Sequence, residues 1–241
     1  MLRRKPIRFW STQPGVKDCY PIYPAANLQR EMSKCPFAKI QRHAAKCPAL
    51  KQYGATGFIV PAPCDFKIIT NGDGVSVDWQ APTLLDTSDG FIGTHDDKQA
   101  KASAPPHSMD VVIKIGTTWR CNTPRDLIFI QSPVLYNGEE RFTAATGILD
   151  PLRVPQLNAQ LYWHMLEGET LIEAGTPLMQ LIPILRDSLR KWDYVVDDAT
   201  LDDIKFEDAI NYSMSSKFEP STPTVLKNNQ KIIENRYVGI Y

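Results

Sequence analysis

Cys35, His43, Cys47 and Cys64 place three thiols and one imidazole in a single stretch of the chain, a donor set that suits zinc. None of the pairs has the C-x2-C spacing of a structural zinc site, and each cysteine reads equally as a small buried hydrophobe. No metal is therefore assigned, and these four residues stand as candidate ligands. The five cysteines are odd in number and scattered, which reads as reduced thiols rather than a disulfide framework. None of the four histidines forms a recognisable catalytic signature with a cysteine, so a thiol nucleophile is not expected. Asp86, Ser88 and Asp89 resemble the start of a calcium loop. Gly90, however, arrives one position too early and no glutamate closes the loop. Arg120, Arg125 and Arg153 are scattered and read as surface pairs, whereas Trp119, Trp163 and Trp192 read as core or interface anchors.

The elements that must carry these residues are mainly strands. From Ile7 to Tyr23, β-forming residues mixed with Pro14 and Pro21 predict an extended, irregular segment. Phe37, Ile40, Ala44 and Cys47 recur at helical spacing, with Lys39, Arg42 and Lys46 outward as a solvated face. Phe58–Ala62, Phe66–Thr70 and Val75–Trp79 read as strands, the last two joined as a hairpin through Asn71-Gly-Asp-Gly74. Residues 80–107 are polar and read as a long loop. Strand patterns return at Val111–Ile115, Trp119–Cys121, Leu127–Ile130, Phe142–Ala144, Gln160–Met165, Thr170–Ile172 and Leu178–Ile184. No β-α-β alternation is visible, which disfavours a parallel nucleotide-binding sheet. Thr200 and Asp203 have the form of a capping box, predicting a helix from Leu201 to Ser215 with Leu201, Ile204, Ala209, Ile210 and Met214 on one face. The tail beyond it is too poor in apolar residues to form a core, and its apolar end suggests docking.

Composition bounds the function. The chain has 241 residues, 43% hydrophobic, with 27 basic and 27 acidic side chains. A surface built to grip a polyanion would show a basic excess, so bulk nucleic-acid binding is not expected. The longest apolar runs are strand-sized, against about 20 residues for a membrane-spanning helix. Neither a membrane span nor a secretory signal is expected, which points to the cytoplasm.

Gly147-Ile-Leu-Asp150, Gln160-Leu-Tyr-Trp-His-Met165 and Gly175-Thr-Pro-Leu-Met-Gln180-Leu-Ile are similar in order and spacing to the β-clip core of dUTPase-like proteins. Over residues 47–187 the chain also resembles a family found in tailed bacteriophages, with bacterial relatives. There Cys47-Pro48, Gly57-Phe-Ile-Val60, Cys64-Asp65, Thr118-Trp-Arg-Cys-Asn-Thr-Pro124 and Gly175–Pro183 fall in corresponding order. The first resemblance implies that Asp150 matches the aspartate that orients the attacking water in dUTPases, with magnesium as cofactor. The pattern departs elsewhere. Arg153 stands where an aromatic residue packs under the deoxyribose, and neither the Pro-Arg-Ser-Gly segment nor the glycine-rich C-terminal arm is present. Catalysis of that type needs the phosphate charges neutralised.

The expectation is a mainly β protein, a β-clip-like antiparallel barrel or sandwich with short helices and extended terminal arms. Residues 1–57 form an extended segment and short helix, 58–187 the β-rich core with the 80–107 loop, and 188–241 a helix and docking tail. Arms that cannot pack alone are docking devices in assemblies. The functional expectation is a non-enzymatic phage structural or assembly protein of head, neck or tail, without cofactor. Its partners are further copies or other virion proteins; it is made in the host cytoplasm and carried into the virion. The alternative is a nucleotide-binding or nucleotide-hydrolysing protein using Asp150.

Overall fold

The computed structural model describes residues 6–34, 47–82, 90–96, 98, 103–135 and 137–216. Cys35 and His43, the helix expected around Phe37–Cys47, the calcium-like loop up to Asp89 and the tail beyond Ser216 lie outside them. The chain divides into two units, residues 1–190 and 191–241.

Among the described residues of the first unit, thirteen strands build three antiparallel sheets. The longest strand, β7 (Val112–Asn122), has β11 (Gln156–Trp163) along one side. On its other side β6 (Ile92–His95) pairs with Val112–Ile115, and β1 (Arg8–Ser11) pairs with Trp119–Asn122. β9 (Phe142–Ala144) extends this sheet from β11. The second sheet runs β10 (Gly147–Leu149), β8 (Leu127–Ser132), β13 (Pro177–Leu185), β3 (Phe58–Pro61) and β2 (Tyr23–Pro24). The third is β12 (Glu167–Ile172), β4 (Phe66–Asn71) and β5 (Val77–Gln80). None of the sheets closes on itself, so the arrangement is open antiparallel sheets rather than a barrel.

Periodicity explains much of this. Along β11 burial alternates strictly, with Leu157, Ala159, Leu161 and Trp163 facing the core, as expected of a strand with one face packed. β7 is buried almost continuously, as expected of a strand with both of its faces covered. The two strand patterns expected at Val111–Ile115 and Trp119–Cys121 are one strand through Gly116-Thr-Thr118. Its buried threonines are satisfied: the Thr117 hydroxyl donates to the Leu157 carbonyl, and the Thr118 and Ser11 hydroxyls lie 3.0 Å apart. Pro183 sits inside β13 without loss, since β3 pairs only as far as Leu181, leaving Pro183 with β8 alone. The core joins all three sheets through Phe66, Ile68, Val60, Phe129, Ile113 and Leu161, and aromatic contacts such as Phe142 stacked on Trp163, centroids 6.1 Å apart, tighten it.

Among the described residues, three short helices precede β3: α1 (Val16–Cys19), α2 (Ala25–Ser33) and α3 (Pro48–Ala55). α1 lies inside the segment Ile7–Tyr23 that was expected to be extended, α2 just beyond it was not foreseen, and β6 interrupts the stretch read as one loop. At the end of α3, Gly57 has φ +79°, and a Cβ there would stand 2.0 Å from the Leu181 carbonyl oxygen. Glycine is required by both the conformation and the close approach. The expected hairpin is present: the Asn71 side chain accepts from the Asp73 amide at 3.1 Å, and Asp73 accepts from the Val75 and Ser76 amides at 2.8 and 2.7 Å.

The second unit contains an extended segment, residues 191–200, and α4 (Leu201–Ser216). The capping box forms as read: the Thr200 amide donates to Asp203 at 2.8 Å and the Asp203 amide donates to the Thr200 hydroxyl at 3.2 Å. Of the apolar helical face, Leu201 and Ile204 are exposed; the side chains of Ala209, Ile210 and Met214 lie outside the described set. Among the described residues no helix is long and apolar enough to cross a membrane.

Candidate functional site

Asp150 follows β10 in a tight turn. Its carbonyl accepts from the Arg153 and Val154 amides at 3.0 Å each, and its side chain accepts from the Leu152 amide at 3.1 Å. An aspartate is well suited to bracing such a turn. The turn lies beside the end of β13, and this brings in Arg186, which directly follows that strand. Its guanidinium donates to both carboxylate oxygens, at 2.6 and 2.8 Å, while its Nε donates to the Arg125 carbonyl at 3.1 Å. Arg153 Nε stands 3.6 Å from the same carboxylate, with its side chain 85% exposed.

The Arg186 guanidinium, bonded to both oxygens, holds the Asp150 carboxyl at about 2, below the usual carboxylate range. Partial burial works against this, and the Leu152 amide and the Arg153 charge add to it. A general base needs an available lone pair and a pKa near working pH. Asp150 is held ionised at a low pKa by a bidentate arginine, which makes it a weak base.

Around this pair lies an open groove of about 350 Å³, with Ile148, Leu149, Val154 and Leu189 as its apolar lining and Arg153 and Arg186 as its cations. Asp150 is the one carboxylate among the lining residues. No group of three or more His, Cys, Asp or Glu able to hold a metal occurs among the described residues.

The thiols are placed apart from it. Cys64 is half-buried, and burial, aided by the Asp65 charge, pushes its thiol up to about 12. Burial does the same to Cys121. A thiol so far from ionisation is a poor nucleophile at neutral pH. Cys47 is exposed, at the start of α3.

Other singled-out residues have structural work. Gln180, 2% exposed, donates to the Tyr53 and Thr56 carbonyls at 3.0 and 2.7 Å, fixing the end of α3 to β13. Arg120 donates to the Thr117 and Trp119 carbonyls of its own strand. Trp119 and Trp163 are buried, whereas Trp192 is exposed. Sequence reading missed Arg186, whose only signal was a cation just past a strand. Nothing in its spacing links it to Asp150.

A second feature lies in the extended segment. Trp192, Tyr194, Val195 and Val196 are 71%, 84%, 83% and 84% exposed, four large apolar side chains within five consecutive positions.

No protein-family model matches the chain, and no curated protein is significantly similar to it. Among solved structures it is similar to the dUTPase of EIAV, with a TM-score of 0.34 and 12% identity over 60% of this chain and 87% of that one. It is also similar to a dUTPase from phage phi11 of S. aureus, with a TM-score of 0.38 and 8% identity over 81% of this chain and 97% of that one. At these scores the likeness carries neither fold nor activity across.

Proposed function

We propose that this chain is a structural or assembly protein of a tailed-phage particle, in its head, neck or tail. It works through contacts with other protein chains and without chemistry of its own. The observation that carries this reading is the segment Trp192–Val196, where large apolar side chains stand in water. Such surface is unfavourable to hydrate, and contiguous apolar patches mark interaction sites. The locking of Asp150 by Arg186 supports the same reading, since it occupies the one carboxylate that the groove offers. The phage setting rests on the resemblance of residues 47–187. Mass spectrometry of purified particles tests the proposal: a fixed copy number per particle is expected, and absence from particles overturns it.

A second reading, a nucleotide-binding or nucleotide-hydrolysing protein, is favoured by the groove itself, where two arginines flank a carboxylate on an apolar floor. Incubation with deoxynucleoside triphosphates and magnesium separates the two. Turnover that Asp150→Ala abolishes would replace the first reading with the second.

A further inference from the structure

Two features of this chain are each half of a β-ladder. The first is β10, at the end of the second sheet. β8 pairs with one side of it, and among the described residues no strand pairs with the other. An open edge presents free N–H and C=O groups as a template for a further strand, and protected edges are blunted by charge or proline. β10 is Gly147-Ile-Leu149 and carries neither. The second feature is the segment 191–200, extended and exposed throughout. Its tyrosine and paired valines favour a pleated backbone, yet among the described residues no strand is paired with them.

Edge and segment also match in side chains. Successive residues of a strand point to opposite faces, so one face of the segment carries Tyr194, Val196 and Asp198, two apolar side chains followed by a carboxylate. The groove of about 350 Å³ takes part of its lining from β10 itself, through Ile148 and Leu149, and continues with Val154 and Leu189. Ile148, Val154 and Leu189 are each about half exposed. The charges lining it do not cancel: Arg153 and Arg186 share the single carboxylate of Asp150, which leaves one positive charge over. The Arg153 side chain, 85% exposed, stands where it can meet a second carboxylate. Residues 191–198 carry three aspartates against Lys191, a net −2.

We infer that residues 193–198 of one copy add as a strand to the open edge of β10 in a second copy, with Tyr194 and Val196 over the apolar groove and Asp198 on Arg153. This rests on the reading of the chain as a protein that works by protein contacts, and it names the partner as the chain itself. Main-chain hydrogen bonds supply the attachment and the side chains in the groove supply the register, as in other strand additions. Because the two surfaces differ, repetition gives a closed assembly if the rotation closes and a filament if it does not. Salt screens the contact between Asp198 and Arg153 and leaves the ladder in place.

The experiment is light scattering coupled to sizing of the full chain over a concentration series. A concentration-dependent oligomer is expected. Val195→Pro with Val196→Pro removes amide donors from both edges of the segment and weakens association by about tenfold or more. Ile148→Lys, which puts a charge on the open edge, weakens it to a similar degree. A complementary pair separates these effects from misfolding. Arg153→Asp and Asp198→Arg each weaken self-association, and mixing the two proteins restores it, because each then meets an opposite charge at both contacts. A monomer throughout the series overturns the inference, as does an oligomer indifferent to the proline and Ile148 variants, or charge-reversed proteins that stay apart when mixed. Amide exchange at Tyr194–Val196 is slow in the oligomer and fast on dilution; protection that survives dilution to monomer means pairing within one chain and overturns the inference. A monomeric chain found in purified particles overturns this inference alone, whereas a self-associating chain absent from particles overturns the assembly role alone.

Discussion

Val60 and Val196 are the same residue in opposite circumstances: the first is fully buried on β3 between paired strands, the second is 84% exposed. The contrast extends to the regions around them. In the sheet unit, apolar side chains at alternate positions meet across the core because ladder hydrogen bonds hold their strands in register. In the segment before α4, Trp192, Tyr194 and Val196 alternate as in a strand, but among the described residues no strand is paired with them. Residue type is therefore a poor guide to role here. A large side chain stabilises the fold in one region and is available for contacts in the other.

The contrast is broken most directly in the core. Trp163→Ala removes a 1%-exposed indole stacked on Phe142 and is expected to cost about 3–5 kcal/mol in urea denaturation. A loss near that for a surface residue would show that the sheet unit is far looser than described. Gly57→Ala forces a Cβ against the Leu181 carbonyl at positive φ and is expected to cost at least about 2 kcal/mol, read from the same curves.

Gln180→Leu deprives the Tyr53 and Thr56 carbonyls of their donor. The expected loss is about 1–3 kcal/mol, with α3 amides exchanging faster by hydrogen exchange while those of β11 stay protected.

The ion pair at Asp150 has a smaller effect, confined to acid. Its folded pKa, about 2, lies below that of an unfolded aspartate, about 3.9. Its stabilisation is therefore fully present above about pH 4 and is lost as pH falls toward 2. Melting temperature followed between pH 5 and pH 2 should fall less steeply in Asp150→Asn than in the parent chain. An unchanged slope would show that the pair contributes nothing in solution. The smallest effect is expected in the segment itself: Val196→Ser should change unfolding stability by no more than about 0.5 kcal/mol when measured at high salt. A larger loss would mean that the segment belongs to the fold, and the contrast between the two regions would fail.

Local features were legible in the residues alone. The Asn71–Gly74 hairpin and the Thr200–Asp203 capping box formed as read because each is closed by side chains within a few positions of the backbone they serve. The strands at Phe66–Asn71, Phe142–Ala144 and Pro177–Leu185 were legible for a similar reason, since a packed or covered strand leaves its period or its apolar run in the sequence. β6 and α2 were not legible. β6 is short and polar, and is a strand because β7 offers it a free edge, a partner twenty residues on.

By itself the sequence determined that this is a mainly antiparallel β protein with a charged, capped C-terminal helix. Hydrophobic period, turn residues and caps act within reach of a few peptide units. The tertiary structure alone decided that Asp150 is paired with Arg186, and that Trp163 is buried while Trp192 is exposed. Those outcomes depend on which strands lie side by side, and so on contacts between residues that no local pattern connects.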